Sequence, residues 1–268
     1  MTAPRSRLIT LALDVDAAAL TLGSETFQAA HATFARNRDA PLIYDANHVF
    51  AVTASTQAEM DELLARAGEE YSGFGHRRFD VDFRAHPGVA ARLALEGYER
   101  SEGLVMLLEG ELRARPRHYD IRPVTGDAAW ADFAALKLSD WNERQQRRGY
   151  PAEPGVAGQM VALARAKHPR VQYFIAYAES RPAAFFSSFP GFEGVGQVED
   201  LFTLPEFRRR GLATALIARC VADCRRRGAK HVVIIAGPAD TPKQMYAAMG
   251  FEPVALQAQY FKRVAAAV

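Results

Sequence analysis

The sequence predicts an α/β (α+β) protein: a mixed central sheet flanked by helices, with that unit present in two tandem copies. Three observations predict it. From Tyr119 onward, apolar stretches of strand length interleave with longer stretches of helical period. A strand ending at Thr203 runs through a Pro205-Glu206 break into the basic turn Arg208-Arg209-Arg210-Gly211, and a long helix follows. Finally, Leu93-Ala94-Leu95-Glu96-Gly97-Tyr98-Glu99 matches the pattern of Tyr246-Ala247-Ala248-Met249-Gly250-Phe251-Glu252: a helix end, a glycine, an aromatic and a glutamate.

In chain order, a strand is expected through His48-Val49-Phe50-Ala51-Val52 and a helix from about Gln57 to Glu70. A strand from Arg78 to Phe83 and the helix closed by Gly97 follow. The polar stretch from Glu109 to His118, with Pro116 inside it, reads as a linker, so domains are expected at 1–115 and 116–268. Beyond it come a strand from Tyr119 to Val124 and a helix through Trp130, Phe133, Leu136 and Lys137. A break at Tyr150 to Gly155 precedes a helix containing Met160, Leu163 and Ala164. Gln172 to Tyr177 and Ala183 to Ser188 read as strands joined by a turn at Glu179 to Pro182. The helix after Gly211 should run to about Arg227 and end at Gly228. A buried strand from His231 to Ile235 and a short helix from Pro242 to Met249, closed by Gly250, complete the pattern.

The basic turn is the most informative feature. It presents successive backbone N–H groups at a helix N-terminus, where the macrodipole favours anions. Gly211 removes the side chain that would hold a phosphate away. Two other phosphate loops are excluded. Gly211 is followed by Leu212 and not by Lys-Ser/Thr, and the turn has one glycine where a dinucleotide fingerprint needs several.

The order Arg-x-x-Gly-x-Ala at Arg208, Gly211 and Ala213 resembles the pyrophosphate loop of the GNAT acetyltransferases. The element order from residue 118 to 265 is similar to that fold. The resemblance implies acetyl-coenzyme A as co-substrate, held by Arg208, Arg209, Arg210, Gly211, Leu212, Ala213 and Thr214. It also implies a pantetheine arm pairing with the open strand edge at Leu201, Phe202 and Thr203, as a peptide does in strand addition. A backbone N–H in the same splay would polarise the thioester carbonyl. The architecture resembles that of tandem bacterial members of the family.

Two side chains are candidates for the chemistry. Tyr246 lies in a Tyr-x-x-x-Gly-Phe pattern that resembles the family's motif, and a phenol with a pKa near 10 can donate a proton to a departing thiolate. Glu199 is the first choice for the base, with Asp200 next and a water chain third. Adjacent on a strand, Glu199 and Asp200 should point to opposite faces. Many family members place a glutamate two residues before Glu199; here that residue is Gln197, which cannot act as a base.

The N-terminal copy reads as degenerate. Thr53-Ala54-Ser55-Thr56-Gln57 has neither glycine nor arginine, and Ser55 or Thr56 would cap the helix with its own side chain. Leu93 stands where the second copy has Tyr246.

Composition bounds the rest. A net charge of +2 argues against a dedicated polyanion binder, so no nucleic-acid partner is expected. The apolar run from Leu8 to Leu13 meets Asp14 and Asp16 and is too short for a signal segment or a membrane span. Cys220 and Cys224, four apart on one helix, suit core packing, and no cluster has zinc spacing. The expectation is a cytoplasmic N-acetyltransferase, with no metal, that acts on a small-molecule or protein amine; an oligomer is compatible with the sequence. The segment from Leu138 to Gly155, with Arg144, Arg147 and Arg148, reads as a charged helix face before a grip for an acidic acceptor. Within the family the rival is a longer acyl donor or an O-acceptor; outside it, a non-catalytic acyl-CoA sensor or partner-binding module.

Overall fold

A computed structural model describes residues 3–239 and 241–264. The chain opens with α1 (Ala3–Thr21), the hairpin strands β1 (Glu25–Ala29) and β2 (Ala32–Arg36), and β3 (His48–Phe50). Next come α2 (Gln57–Glu70), β4 (His76–Val81), α3 (Pro87–Leu95) and β5 (Glu99–Leu108). The second half runs β6 (Asp120–Pro123), α4 (Gly126–Arg148), α5 (Val156–Lys167), β7 (Gln172–Ala178), β8 (Arg181–Phe192) and β9 (Val195–Thr203). It ends with α6 (Leu212–Arg226), β10 (His231–Ala236), α7 (Pro242–Ala248) and β11 (Glu252–Arg263).

The chain divides into two units, and the division does not follow the polar linker. One unit comprises residues 1–19, 106–235 and 241–253; the other comprises 20–105, 236–240 and 254–268. The expected cut between 115 and 116 therefore differs from the structure at both ends of the chain. Most of α1 belongs to the later unit, and most of β11 belongs to the earlier one, where it pairs antiparallel with β4 from Ala258–Val81 to Arg263–His76. The physical reason is burial. The α1 stripe Ile9, Ala12, Leu13, Val15 and Ala19 is apolar and buried, and a helix with such a stripe joins whichever core covers it.

In the later unit, β6, β7, β8 and β9 form an antiparallel series, and β10 joins β9 in parallel, so the sheet is mixed. Helix α4 covers one face, where Phe133 packs on Phe185 and Tyr173. Helix α6 covers the other with Leu216, Ile217, Cys220 and Cys224 buried. Both cysteines are free, and the Cys224 thiol contacts the carbonyls of Phe189 and Gln197. Gly228, at φ +104°, ends α6 as its sequence position predicts.

The earlier unit has its own core, in which Phe34, Val49, Met60, Leu63, Tyr71, Phe79 and Leu93 are buried together. Its β3 and β4 pair in parallel, as β9 and β10 do. The two short helices α3 and α7 close in the same way. Tyr98 N–H donates to Leu93 O at 3.0 Å, and Phe251 N–H to Tyr246 O at 3.0 Å. Gly97 and Gly250 both take positive φ, which a left-handed helix stop requires. The hairpin β1–β2 and the helix α1 stand outside what the sequence pattern had indicated.

Candidate active site

The parallel pairing of β10 with β9 runs from His231–Val195 to Val233–Gln197, and among the described residues it does not continue beyond Gln197. Further along β9, Phe202 and Thr203 pair with Phe185 and Ala184 of β8, Leu201 lies in the irregular stretch before them, and among the described residues no strand pairs on the other side. An open backbone edge thus begins just after Gln197.

A bulge shapes this edge. Phe185 faces Phe202 and Ser187 faces Glu199, so β9 carries one residue more than β8 between those pairs. Asp200 takes it up with φ +67°, a conformation that is sparsely populated for side-chain-bearing residues. The bulge corrects the expected alternation. Glu199 faces Ser187, which faces Tyr173, and Lys137 of α4, the helix whose Phe133 packs on Tyr173, reaches Asp200, so both carboxylates lie on the side of the sheet that bears Tyr173.

Asp200 has a structural partner. Lys137 Nζ on α4 donates to both its carboxylate oxygens at 2.9 and 3.0 Å, and Arg144 lies 3.5 Å away. Burial works against the charge of Asp200, but Lys137 and Arg144 outweigh it and hold the carboxyl below its ordinary pKa. A carboxylate so paired makes a poor base at neutral pH. Glu199 differs: its side chain lies 3.4 Å from the Gln197 amide nitrogen, and its backbone carbonyl accepts from Ser187. The same Gln197 nitrogen donates to Asp16 of α1 at 2.6 Å.

The basic turn follows β9 after a short 3-10 turn at Pro205–Phe207. Gly211 is the N-cap of α6 at φ +96°, and no side chain caps the helix. Ala215 N–H is the first to bond back, to Gly211 O at 3.1 Å, which leaves the N–H groups of Leu212, Ala213 and Thr214 at the open end. A Cβ at Gly211 would meet nothing closer than Arg117 at 3.9 Å, so it is the positive φ and not crowding that favours glycine here.

The three arginines are not equivalent. Arg208 donates to Thr203 O at 2.9 Å and to the Glu143 carboxylate on α4. That pairing, followed by the charge of Arg147, holds Glu143 below the usual carboxylate range despite partial burial. Arg210 pairs with Glu179 at 2.7 Å, and its carbonyl accepts from the Tyr119 hydroxyl. Arg209, exposed and at φ +61°, has no ion pair among the described residues.

Tyr246 is 5% exposed on α7 and packs against Phe251. Its neighbour Met245 meets Thr214 of the first turn of α6 at 4.0 Å, so α7 lies beside the uncapped helix end. In the segment from Leu138 to Gly155, Arg144 pairs with Asp140 and Arg147 with Glu143 one turn away, which fits a charged helix face.

The equivalent turn of the earlier unit is closed. Thr56 caps α2 by accepting from Glu59 N–H at 3.3 Å, and Glu59 accepts from Ser55 N–H at 2.7 Å and Thr56 N–H at 3.0 Å, a complete capping box. Those backbone bonds lower the Glu59 pKa to about 2. The helix end that could face an anion is occupied by the chain's own carboxylate.

Two contributors to the site had no motif to betray them. Glu143 lies in the segment from Leu138 to Gly155 singled out in the sequence, but its pairing with Arg208 emerges only when α4 meets the turn. Asp16 left a weak signal: with Ala12 and Ala19 it falls at helical spacing on an apolar stripe. Among the described residues, no group of three His, Cys, Asp or Glu side chains could hold a metal ion, and no helix is long and apolar enough to cross a membrane.

An uncapped helix behind a basic glycine turn, beside an open strand edge in a mixed sheet, is an arrangement suited to an anionic ligand. Residues 130–251 match the acetyltransferase (GNAT) family. Across nearly its full length the chain is similar in fold to a GCN5-related N-acetyltransferase from Kribbella flavida, with TM-score 0.67, 17% identity, and coverage of 95% of this chain and 96% of that one. A functionally unknown conserved protein from Staphylococcus epidermidis gives TM-score 0.66 at 13% identity, with 91% and 96% covered. A tandem GNAT protein from the clavulanic acid biosynthesis pathway gives 0.57 at 18% identity, with 80% and 73% covered. At these identities the likeness is one of fold. No curated protein matches the sequence.

Proposed function

We propose that the chain is an acetyl-CoA-dependent N-acetyltransferase of tandem GNAT architecture, in which the later unit is active and the earlier one is a degenerate copy. The observation that carries the reading is the α6 N-terminus: Gly211 at φ +96°, no side-chain cap, and, among the described residues, no acceptor on the N–H groups from Leu212 to Thr214. That arrangement suits a diphosphate, with Arg209 adding charge from outside.

In this reading the β9 edge at Leu201, Phe202 and Thr203 pairs with the pantetheine amides, and a backbone N–H there polarises the thioester carbonyl. Glu199 takes the proton of the acceptor ammonium, the amine nitrogen forms its bond to the carbonyl carbon, and the carbon–sulfur bond breaks. Tyr246 gives a proton to the departing thiolate, the nitrogen sheds its second proton as it becomes an amide, and that proton returns through solvent to Tyr246 while Glu199 releases its own to solvent. Free, buried Cys220 and Cys224 accord with a reducing, cytoplasmic setting. The acceptor is an amine on a small molecule or a protein. The deep burial of Tyr246 favours a second reading, a non-catalytic acyl-CoA sensor in which that tyrosine belongs to the core.

The test has two arms. Acetyl-CoA should raise the melting temperature of the whole protein with ligand concentration. A panel of primary amines, with free thiol as the readout, should then show turnover. Stabilisation without turnover of any amine supports the sensor; no stabilisation removes both readings.

A further inference from the structure

Helix α1 is bound into the unit that carries the proposed site. Arg5 pairs with Glu252 at 3.1 Å and Arg7 with Glu193 at 3.3 Å. Val15 packs on Gly191 of β8, where a Cβ would lie 3.1 Å from Val15 and 2.0 Å from Val195 O. Lys167 Nζ donates to Ala19 O at 2.7 Å. Between these anchors Asp16 sits 4% exposed on the stripe with Ala12 and Ala19. A carboxylate there is costly unless it is hydrogen-bonded, and it accepts from Gln197 Nε2 at 2.6 Å.

Gln197 is fully buried and is the last residue of β9 paired to β10, so it stands at the root of the open edge. Its Nε2 also reaches Glu199 Oε2 at 3.4 Å, whereas its Oε1 has no hydrogen-bond partner among the described residues. One side-chain amide therefore links two carboxylates. A carboxylate only accepts, so Asp16 selects the amide orientation that turns nitrogen, not oxygen, toward Glu199.

We propose that Asp16 is a positioning residue for acetyl transfer: it fixes the Gln197 carboxamide, which in turn fixes the Glu199 carboxylate at the acceptor nitrogen. The inference rests on the β9 edge being the acetyl-transfer site. A half-buried glutamate has three rotatable bonds, and a buried amide that cannot turn restricts them. Without Asp16 the amide can reverse and present Oε1 to Glu199, which repels the carboxylate from its working place. The N-terminal helix thus completes the end of the site where Gln197 itself supplies no base.

The experiment compares wild type, Asp16→Ala, Asp16→Asn and Gln197→Met in acetyl-CoA turnover with the primary-amine panel, alongside thermal melts with acetyl-CoA. Asp16→Ala should lower kcat by on the order of tenfold to a hundredfold, the scale on which misplacement of a catalytic group acts. The KM for acetyl-CoA should stay within about twofold, because the donor loop is untouched. Asp16→Asn keeps an oxygen acceptor and should restore part of the lost kcat. The Asp16→Ala/Gln197→Met double variant should be no slower than Gln197→Met alone, since both act through one bridge.

A folded Asp16→Ala protein with wild-type kcat, or with a loss confined to the acetyl-CoA KM, overturns the inference. If Asp16→Ala does not fold, Gln197→Met decides, and an unchanged kcat there overturns it too. An active wild type with unaffected variants sinks this inference alone. A wild type that binds acetyl-CoA yet turns over no amine sinks the transferase reading and this inference with it.

Discussion

The Glu143 carboxylate of α4 accepts from the Arg208 guanidinium, which also donates to Thr203 O at the end of β9. Through this one side chain the helix over the sheet and the strand bearing the open edge hold the start of the basic turn. The first arginine is thereby committed to building the turn, and the second is left to meet the solvent.

Arg208→Ala and Arg209→Ala should therefore part company. Loss of Arg208 leaves Thr203 O without its side-chain donor and Glu143 with Arg147 alone, and should cost about 1–2 kcal/mol of stability. Loss of Arg209 should leave the melting temperature unchanged and raise the KM for acetyl-CoA about three- to tenfold, more weakly at high salt. Thermal melts and donor titrations at two salt concentrations read both; equal effects at the two positions would contradict this division.

Gly211→Val should abolish the stabilisation by acetyl-CoA. The backbone at φ +96° strains a β-branched residue by about 1–2 kcal/mol, and the added carbons would block the proposed approach of a diphosphate. The protein itself has room, since the nearest atom to a Cβ is 3.9 Å away. A folded variant that still responds to acetyl-CoA as wild type does would show that the anion does not sit on this turn.

Tyr246→Phe should lower kcat by on the order of a hundredfold while donor binding and stability barely move. The ring keeps its packing against Phe251, and only the hydroxyl is lost. Single-turnover measurement separates this from slow product release. A wild-type single-turnover rate, with acetyl transfer limiting, would return Tyr246 to the core and favour the sensor.

The capping box of α2 predicts a local acid sensitivity. The folded Glu59 pKa, about 2, lies below its ordinary value of 4.5, so its contribution is complete above pH 4.5 and is lost as pH falls toward 2. Hydrogen-exchange protection of the first-turn amides of α2, measured against their intrinsic exchange rates, should fall across that window in wild type and show no such change in Glu59→Ala. Thr56→Ala should cost about 1 kcal/mol without touching acetyl-CoA binding. A loss of donor binding in either variant would mean that the earlier unit takes part in holding it.

Much of this protein was legible because its signals are local. Alternating and helical periods located the elements from β6 to α7, and the glycine stops at Gly97, Gly228 and Gly250 fell where positive φ is needed. The basic turn with its single glycine marked the α6 N-terminus, and Ser55 or Thr56 marked the capped one, because caps and turns are written within a few residues, while the part of Glu59 came from the structure. The bulge at Asp200 escaped that reading, since a strand's register depends on its partner β8 and not on its own alternation.

By itself, then, the sequence determined the order of elements, the basic glycine turn at the start of α6 and the self-capped start of α2. Tertiary structure decided which charges are spent on architecture. Lys137 engages Asp200 from 63 positions away and Glu143 engages Arg208 from 65, while Asp16 reaches Gln197 across 181. The physical reason is that a charge has no preference for a sequence neighbour. It settles wherever folding brings a complementary group into a place that water has left, and no periodicity along the chain records that meeting.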